Sequence, residues 1–143
     1  MRVMVLVKAT AWSEAGLPPS EEMAPMFEAM GRFNEELVAA GVMEAGEGLK
    51  PSSAGKRVVL GGAKPEVVNG PFPLPDELVA GFWLWTVKDM DEAVAWARRC
   101  PHTMPGGGVL ELRPIYELED FGDAVPPEVA ASEARMREQL AAG

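Results

Sequence analysis

Val67-Val68-Asn69-Gly70-Pro71-Phe72, followed by Gly81-Phe82-Trp83-Leu84-Trp85-Thr86-Val87, is the stretch that decides the fold. It reads as a strand, a tight turn, and a second strand that carries two large rings on one face, because side chains two apart in a strand point the same way. Working outward, residues 57–60 and 66–68 flank a Gly61-Gly62-Ala63-Lys64-Pro65 turn and form a hairpin ahead of that central strand. Residues 42–49 make an earlier strand. It is interrupted by Gly46 and Gly48, which suggest a bulge or a close backbone approach.

The remaining elements follow from periodicity. Residues 3–8 are short, rich in β-branched side chains and read as a first strand rather than a signal peptide. Residues 9–19, with Ser13, Gly16, Pro18 and Pro19, read as a loop. Ser20 caps a helix whose apolar stripe is Met23, Met26, Phe27, Met30, Phe33, Leu37 and Val38, with Pro25 in its first turn and Gly41 at its end. Asp89 and Glu92 cap a second helix, buried through Met90, Ala93, Val94 and Ala97 and stopped by Pro101. A last strand covers residues 109–113. From Tyr116 the chain turns acidic, then reads as an alanine-rich helix after Pro126-Pro127 with the thin stripe Val129, Met136 and Leu140.

That order is β-α-β, an inserted hairpin, and β-α-β: an α+β, ferredoxin-like split β-α-β pattern with a C-terminal extension. The domain is expected over residues 1–115 and the acidic, helical extension over 116–143. Helices then cover one sheet face, and the other meets solvent, a ligand or a second subunit.

The 143-residue chain suits one domain, and 48% hydrophobic residues suit a folded core. No apolar run is long enough to span a membrane. A net charge of −9 without a basic stripe disfavours nucleic acid. The single cysteine, Cys100, excludes an internal disulfide framework and suits a cytoplasmic location. One His and one Cys give no metal-ligand spacing, so neither a metal nor a cofactor is expected. The Gly-rich tracts lack phosphate-loop spacing and read as turns.

The ordered set of segments resembles the YCII-related family, in the branch known by an Asp-Gly-Pro-Phe motif. The match runs through Val7-Lys8-Ala9, Ser13-Glu14-Ala15-Gly16, Phe33-Asn34-Glu35-Glu36-Leu37, Gly46-Glu47-Gly48-Leu49, Pro51-Ser52-Ser53, Asn69-Gly70-Pro71-Phe72, Glu77-Leu78-Val79-Ala80-Gly81-Phe82-Trp83, Arg99-Cys100-Pro101 and Glu119-Asp120-Phe121-Gly122. The resemblance implies a homodimer joined through the open sheet face, called a dimeric α-β barrel, with a polar-lined cleft. It implies a His-Asp pair as catalytic in some relatives and an association with sigma factors in others. Asn69 stands where the motif has Asp, and Leu74-Pro75-Asp76-Glu77 replaces a run ending in Lys-Glu. The acid and nearby cation that such chemistry would use are therefore absent here.

Alternation along the strands places Val3, Val5, Val7, Leu110 and Leu112 under the helices and turns Lys8 and Glu111 to the open face. Glu47 is read as sharing a face with Met43 and Leu49. Lys8, Glu47 and Glu111 then form either a structural ion-pair cluster, the preferred reading, or a site in which Lys8 anchors an anion and Glu47 is a general base. Trp83 and Trp85 either pack the core, as large rings generally do, or stack on a ligand. His102 is the only histidine and is considered as a general acid-base, the weaker reading for a residue in a Pro- and Gly-rich loop. Asn69 would orient substrate by hydrogen bonds.

The leading expectation is a cytoplasmic homodimer that binds a small organic ligand in a cleft bounded by the first strand, Glu47 and the Asn69 turn. If catalytic, it would be a cofactor-free lyase or isomerase acting on a small organic acid. The alternatives are a non-enzymatic regulatory or interaction module and a ligand-sequestering protein.

Overall fold

The computed structural model describes residues 1–16, 20–73 and 75–143. Leu17, Pro18, Pro19 and Leu74 lie outside the described residues, so the loop reading at Pro18 and Pro19 and the Leu74 substitution stand only as sequence readings. Strand β1 (Arg2–Lys8) is followed by a one-turn helix α1 (Ala11–Glu14), and α2 (Ala24–Ala39) leads into β2 (Met43–Gly48). The hairpin strands β3 (Lys56–Val59) and β4 (Glu66–Asn69) precede β5 (Val79–Thr86). Helix α3 (Met90–Arg98), β6 (Leu110–Pro114) and α4 (Pro127–Ala142) complete the order.

The main sheet has the order β2-β5-β1-β6, and every pairing in it is antiparallel. With β3 and β4 set aside as a separate two-stranded sheet, this is the ferredoxin-like arrangement expected from the element order. Ser20 caps a 3-10 turn, Glu21–Met23, that runs into α2 with Pro25 in the first helical turn, where its missing N–H costs nothing. Asp89 accepts from the Glu92 N–H at 2.9 Å and so starts α3.

The core lies between the helices and one sheet face. Val3, Val5, Leu37, Trp85 and Ala93 are fully buried there, joined by Phe33, Val42, Trp83 and Val87. Each buried Val, Leu or Phe side chain among them contributes about 1.5–3 kcal/mol by leaving water. The register explains the grouping: Val3 faces Trp85 and Val5 faces Trp83 across the β1–β5 pair.

Two local readings are corrected. Residues 9–16 are not loop throughout. Thr10 and Ser13 form a reciprocal cap, Thr10 N–H to Ser13 Oγ at 2.9 Å and Ser13 N–H to Thr10 Oγ1 at 3.4 Å, and that closes α1. Met43 and Glu47 do not share a face either. The β2–β5 register shifts between Met43 and Ala45, so Met43 pairs with Trp85 on the helix side while Glu47 pairs with Phe82 on the open side.

Candidate functional site

A cleft of about 590 Å³ opens around the β2 edge, bordered by Met43, Gly46 and Trp83 from the helix side and by Glu47 and Phe82 from the open side. Its floor is Gly46, Gly81 and Trp83, its side wall Met30 and Asn34 of α2, and its far end Ser13, Thr103 and Met104. Glycine is required in the floor: a Cβ at Gly46 would sit 2.7 Å from Trp83 Cδ1 and 2.9 Å from Met43 Cε. The Trp83 ring therefore lies across bare backbone. Phe33 meets it edge-on, with centroids 5.9 Å apart. Met104 is buried at the far end and accepts a hydrogen bond at its sulfur from Thr10 Oγ1 at 3.0 Å, which ties the 103–104 loop to the base of α1.

The polar groups of the cleft differ in what they have left to offer. Asn34 Oδ1 accepts the Trp83 Nε1–H at 2.9 Å. That bond fixes the amide so that Nδ2 carries two free donors, and it hydrogen-bonds to no other described residue. Ser13 is satisfied locally, since its hydroxyl donates to the Thr10 carbonyl at 3.1 Å. Thr103 Oγ1 donates to the Gly107 carbonyl at 3.2 Å and keeps its lone pairs. Glu47 and Lys50 are exposed and stand at the rim. Met30, Met43 and Met104 give the walls an adaptable, polarisable surface. A site of this volume, apolar with few polar groups, has the general form of a small-molecule pocket, which typically occupies roughly 300–1,000 Å³.

Of the residues singled out from sequence, Trp83 and Glu47 border this cleft. Trp85 does not. It is fully buried behind Trp83, and its Nε1 has no hydrogen-bond partner among the described residues. Lys8 ends β1 just past a register shift, paired with Val79, and β5 separates it from β2 and Glu47. In register, Glu111, Leu6, Phe82 and Glu47 make one row across the four strands, with acids at the edges and apolar groups between. The ion pair found for Glu111 is with Arg113, at 3.3 Å. His102 is exposed and borders a separate hollow of about 430 Å³ between α3 and β6, beside Cys100. Burial pushes the Cys100 thiol up to about 11, so it stays protonated at neutral pH. Among the described residues no three His, Cys, Asp or Glu side chains gather as a metal-holding group.

Asn69 lies in the hairpin, where its Oδ1 accepts from Lys56 Nζ, and it is not part of the cleft lining. The turn it begins is a lock. Ser52 donates its N–H to Glu14 Oε1 at 2.9 Å and its hydroxyl to Glu14 Oε2, and the same hydroxyl accepts the Phe72 N–H at 3.0 Å. The Gly70 N–H reaches the Gly55 carbonyl at 3.0 Å, and the Gly70-Pro71 peptide is cis. A Cβ on Gly70 would fall 1.8 Å from the Ser52 carbonyl oxygen. Only glycine fits. Arg57 completes the contact by lying 4.0 Å over the Phe72 ring.

Comparison with known families matches residues 1–119 to the YCII-related domain. The chain belongs to the YCII-related family. An uncharacterized protein of Rhizobium meliloti (strain 1021) is 27% identical over 106 residues, covering 74% of this chain and 81% of that protein. The match spans the sheet, both packing helices and the locked turn, and ends in the acidic segment just after β6. In this YCII-related protein, the residue that sequence reasoning passed over is Asn34. Its signal was there: Met30, Phe33, Asn34 and Leu37 share one helical face, and Asn34 is the polar member of an otherwise apolar stripe.

Proposed function

We propose that the cleft binds a small organic acid with an apolar body, its carboxylate received by Asn34 and its body laid against Trp83 and the methionines. The observation that supports this is the half-used amide. Asn34 is held by Trp83 in the one orientation that leaves both Nδ2 donors free, and Lys50 adds positive charge at the rim. If the bound acid is turned over, Glu47 is the proton acceptor, because it is the sole carboxylate lining the cleft among the described residues. The reaction class is then a cofactor-free lyase or isomerase. Without turnover the same cleft sequesters its ligand.

The protein acts, in this reading, as a cytoplasmic homodimer. Support comes from the open sheet face, where Met4, Leu6, Phe82 and Leu84 form an apolar centre that is left partly exposed among the described residues. No helix among the described residues is long and apolar enough to cross a membrane.

Calorimetric titration with phenylacetate and 3-methylbutanoate, against the corresponding primary amides, tests the binding. Saturable binding of the acids that Asn34→Asp abolishes is the expected result. Equal binding by the variant would overturn the assignment. Exchange of the bound acid's α-proton in heavy water, lost in Glu47→Gln while binding is kept, separates catalysis from sequestration.

A further inference from the structure

Strand β2 is a free edge of the main sheet, with β5 as its one neighbour among the described residues. In an antiparallel pair every second residue exchanges both main-chain bonds with its neighbour, and the residues between turn their N–H and C=O the other way. Leu49 N–H meets the Ala80 carbonyl at 2.8 Å, and Thr86 N–H meets the Val42 carbonyl at 2.7 Å, so these two bonds bracket the β2–β5 ladder. Stepping by two from Leu49 along the register, Glu47 and Ala45 face β5. Gly46 and Gly48 therefore direct their N–H and C=O groups off the edge. Neither has a hydrogen-bond partner there among the described residues.

That edge is a wall of the cleft. Gly46, Glu47, Gly48 and Leu49 line it in unbroken succession, although their side-chain positions alternate between faces. A strand borders a space in this way with its edge. Glycine at 46 is demanded by Trp83, but glycine at 48 is not demanded by the protein's own packing. Gly48 is exposed, its φ is ordinary, and a Cβ there would meet nothing within 4 Å. Asn34 stands close by, because both it and Gly46 border the same ring nitrogen. Asn34 Oδ1 accepts from Trp83 Nε1 at 2.9 Å, and that nitrogen lies 3.2 Å from a Cβ built on Gly46.

We infer that the acid taken by this cleft is an N-acylated amino acid unit with an apolar side chain, laid along β2 as a short antiparallel strand. The inference rests on the carboxylate reading of Asn34 and names its ligand class. Opposite Gly46, the unit's N–H donates to the Gly46 carbonyl and one carboxylate oxygen accepts the Gly46 N–H, while the other oxygen accepts from Asn34 Nδ2. Residues paired across two strands send their side chains to the same face. The side chain of an L unit thus falls on the helix side, against Trp83 and Met43, where Gly46 has none. A residue two places earlier in a longer ligand reaches Gly48. Lys50 at the rim supplies charge opposite to the carboxylate. Strand addition of this kind draws affinity from main-chain bonds and specificity from the pocket for the side chain. A free N-acyl amino acid and the C-terminus of a peptide share this chemistry.

Calorimetry on the full chain compares 3-phenylpropanoate with N-acetyl-L-phenylalanine, the same acid carrying an acetamido group beside the carboxylate. The acylated acid should bind at least about tenfold more tightly, and its N-methyl and D counterparts should lose that gain. Acetyl-Gly-Gly-Phe distinguishes the sources. Tighter binding than N-acetyl-L-phenylalanine assigns a peptide end, and equal or weaker binding assigns a free N-acyl amino acid. Hydrogen exchange reads the edge itself: N-acetyl-L-phenylalanine should slow the Gly46 amide at least about tenfold, and a bound peptide should slow Gly48 as well. Equal affinity for the acids with and without the acetamido group, or saturable binding with Gly46 exchange unchanged, overturns the inference. If 3-phenylpropanoate binding is still lost in Asn34→Asp, the carboxylate reading stands without it. Absence of saturable binding by every one of these acids removes both.

Discussion

The locked turn and the cleft are both built from a glycine, an aromatic ring and a polar side chain, yet they end in opposite states. At the turn, the Ser52 and Gly70 N–H groups, the Ser52 hydroxyl and the Phe72 N–H all have partners inside the protein. At the cleft, Asn34 spends only its oxygen, on Trp83, and keeps its two N–H donors. Polar groups that are fully paired hold structure. Those left half-paired beside a cavity are where a ligand can repay desolvation. The turn is thus a device of architecture, and the donors left unpaired stand some distance away along the β2 edge.

Substitutions should separate the two regions, beginning where the effect is largest. Gly70→Ala forces a Cβ into the Ser52 carbonyl, so we expect a loss of about 3 kcal/mol, read as a lowered urea midpoint. A midpoint unchanged from wild type would mean the turn is not locked. Ser52→Ala deletes one hydroxyl that both donates and accepts, and should cost about 2 kcal/mol while leaving ligand affinity intact. Asn34→Asp reverses that pattern. It keeps the acceptor for Trp83 but replaces two donors with negative charge, so carboxylate affinity should fall at least about tenfold, or about 1.4 kcal/mol, in a protein that still folds. Glu47→Gln, at an exposed rim position, should change stability by no more than about 0.5 kcal/mol and be visible only in turnover.

The pH dependence is smaller and has a definite sign. The hydrogen bond from Arg2 holds Glu117 below the usual carboxylate range. Its contribution is present above the ordinary carboxylate pKa and lost as pH falls through the lowered one, and Arg2→Gln should remove that acid-side slope. Cys100 behaves oppositely. Burial raises the thiol from 9.0 to about 11, so native stability declines as pH rises across that interval. Alkylation of Cys100 at pH 8 should accordingly be slow until the protein unfolds.

The strands of the main sheet and both packing helices could be read from sequence because each rests on a repeating signal. Val3, Val5 and Val7 alternate, Met30, Phe33 and Leu37 recur at helical spacing, and Asp89 and Glu92 announce a helix start. The cleft was harder to read because it depends on contacts without a period. One extra residue near Glu44 turns Met43 and Glu47 to opposite faces, and nothing in Met43-Glu44-Ala45-Gly46-Glu47 reveals which residue is the extra one. The Glu14–Ser52–Phe72 lock joins positions 38 and 20 residues apart, so no local pattern could announce it. Trp83 and Trp85 were correctly grouped on one face. That the cleft reaches Trp83 and stops short of Trp85 depends on where Gly46 and Gly81 leave room.

The most direct test follows the backbone amides, the side-chain N–H signals of Asn34 and the four tryptophan indoles by NMR while phenylacetate is added. The account predicts saturable shifts at Asn34 Nδ2 and at the Trp83 indole N–H, with the buried Trp85 indole moving less and Trp12 and Trp96 little. It would be contradicted by shifts that never saturate, or by saturable shifts centred on His102 and Cys100 with Asn34 and Trp83 unmoved.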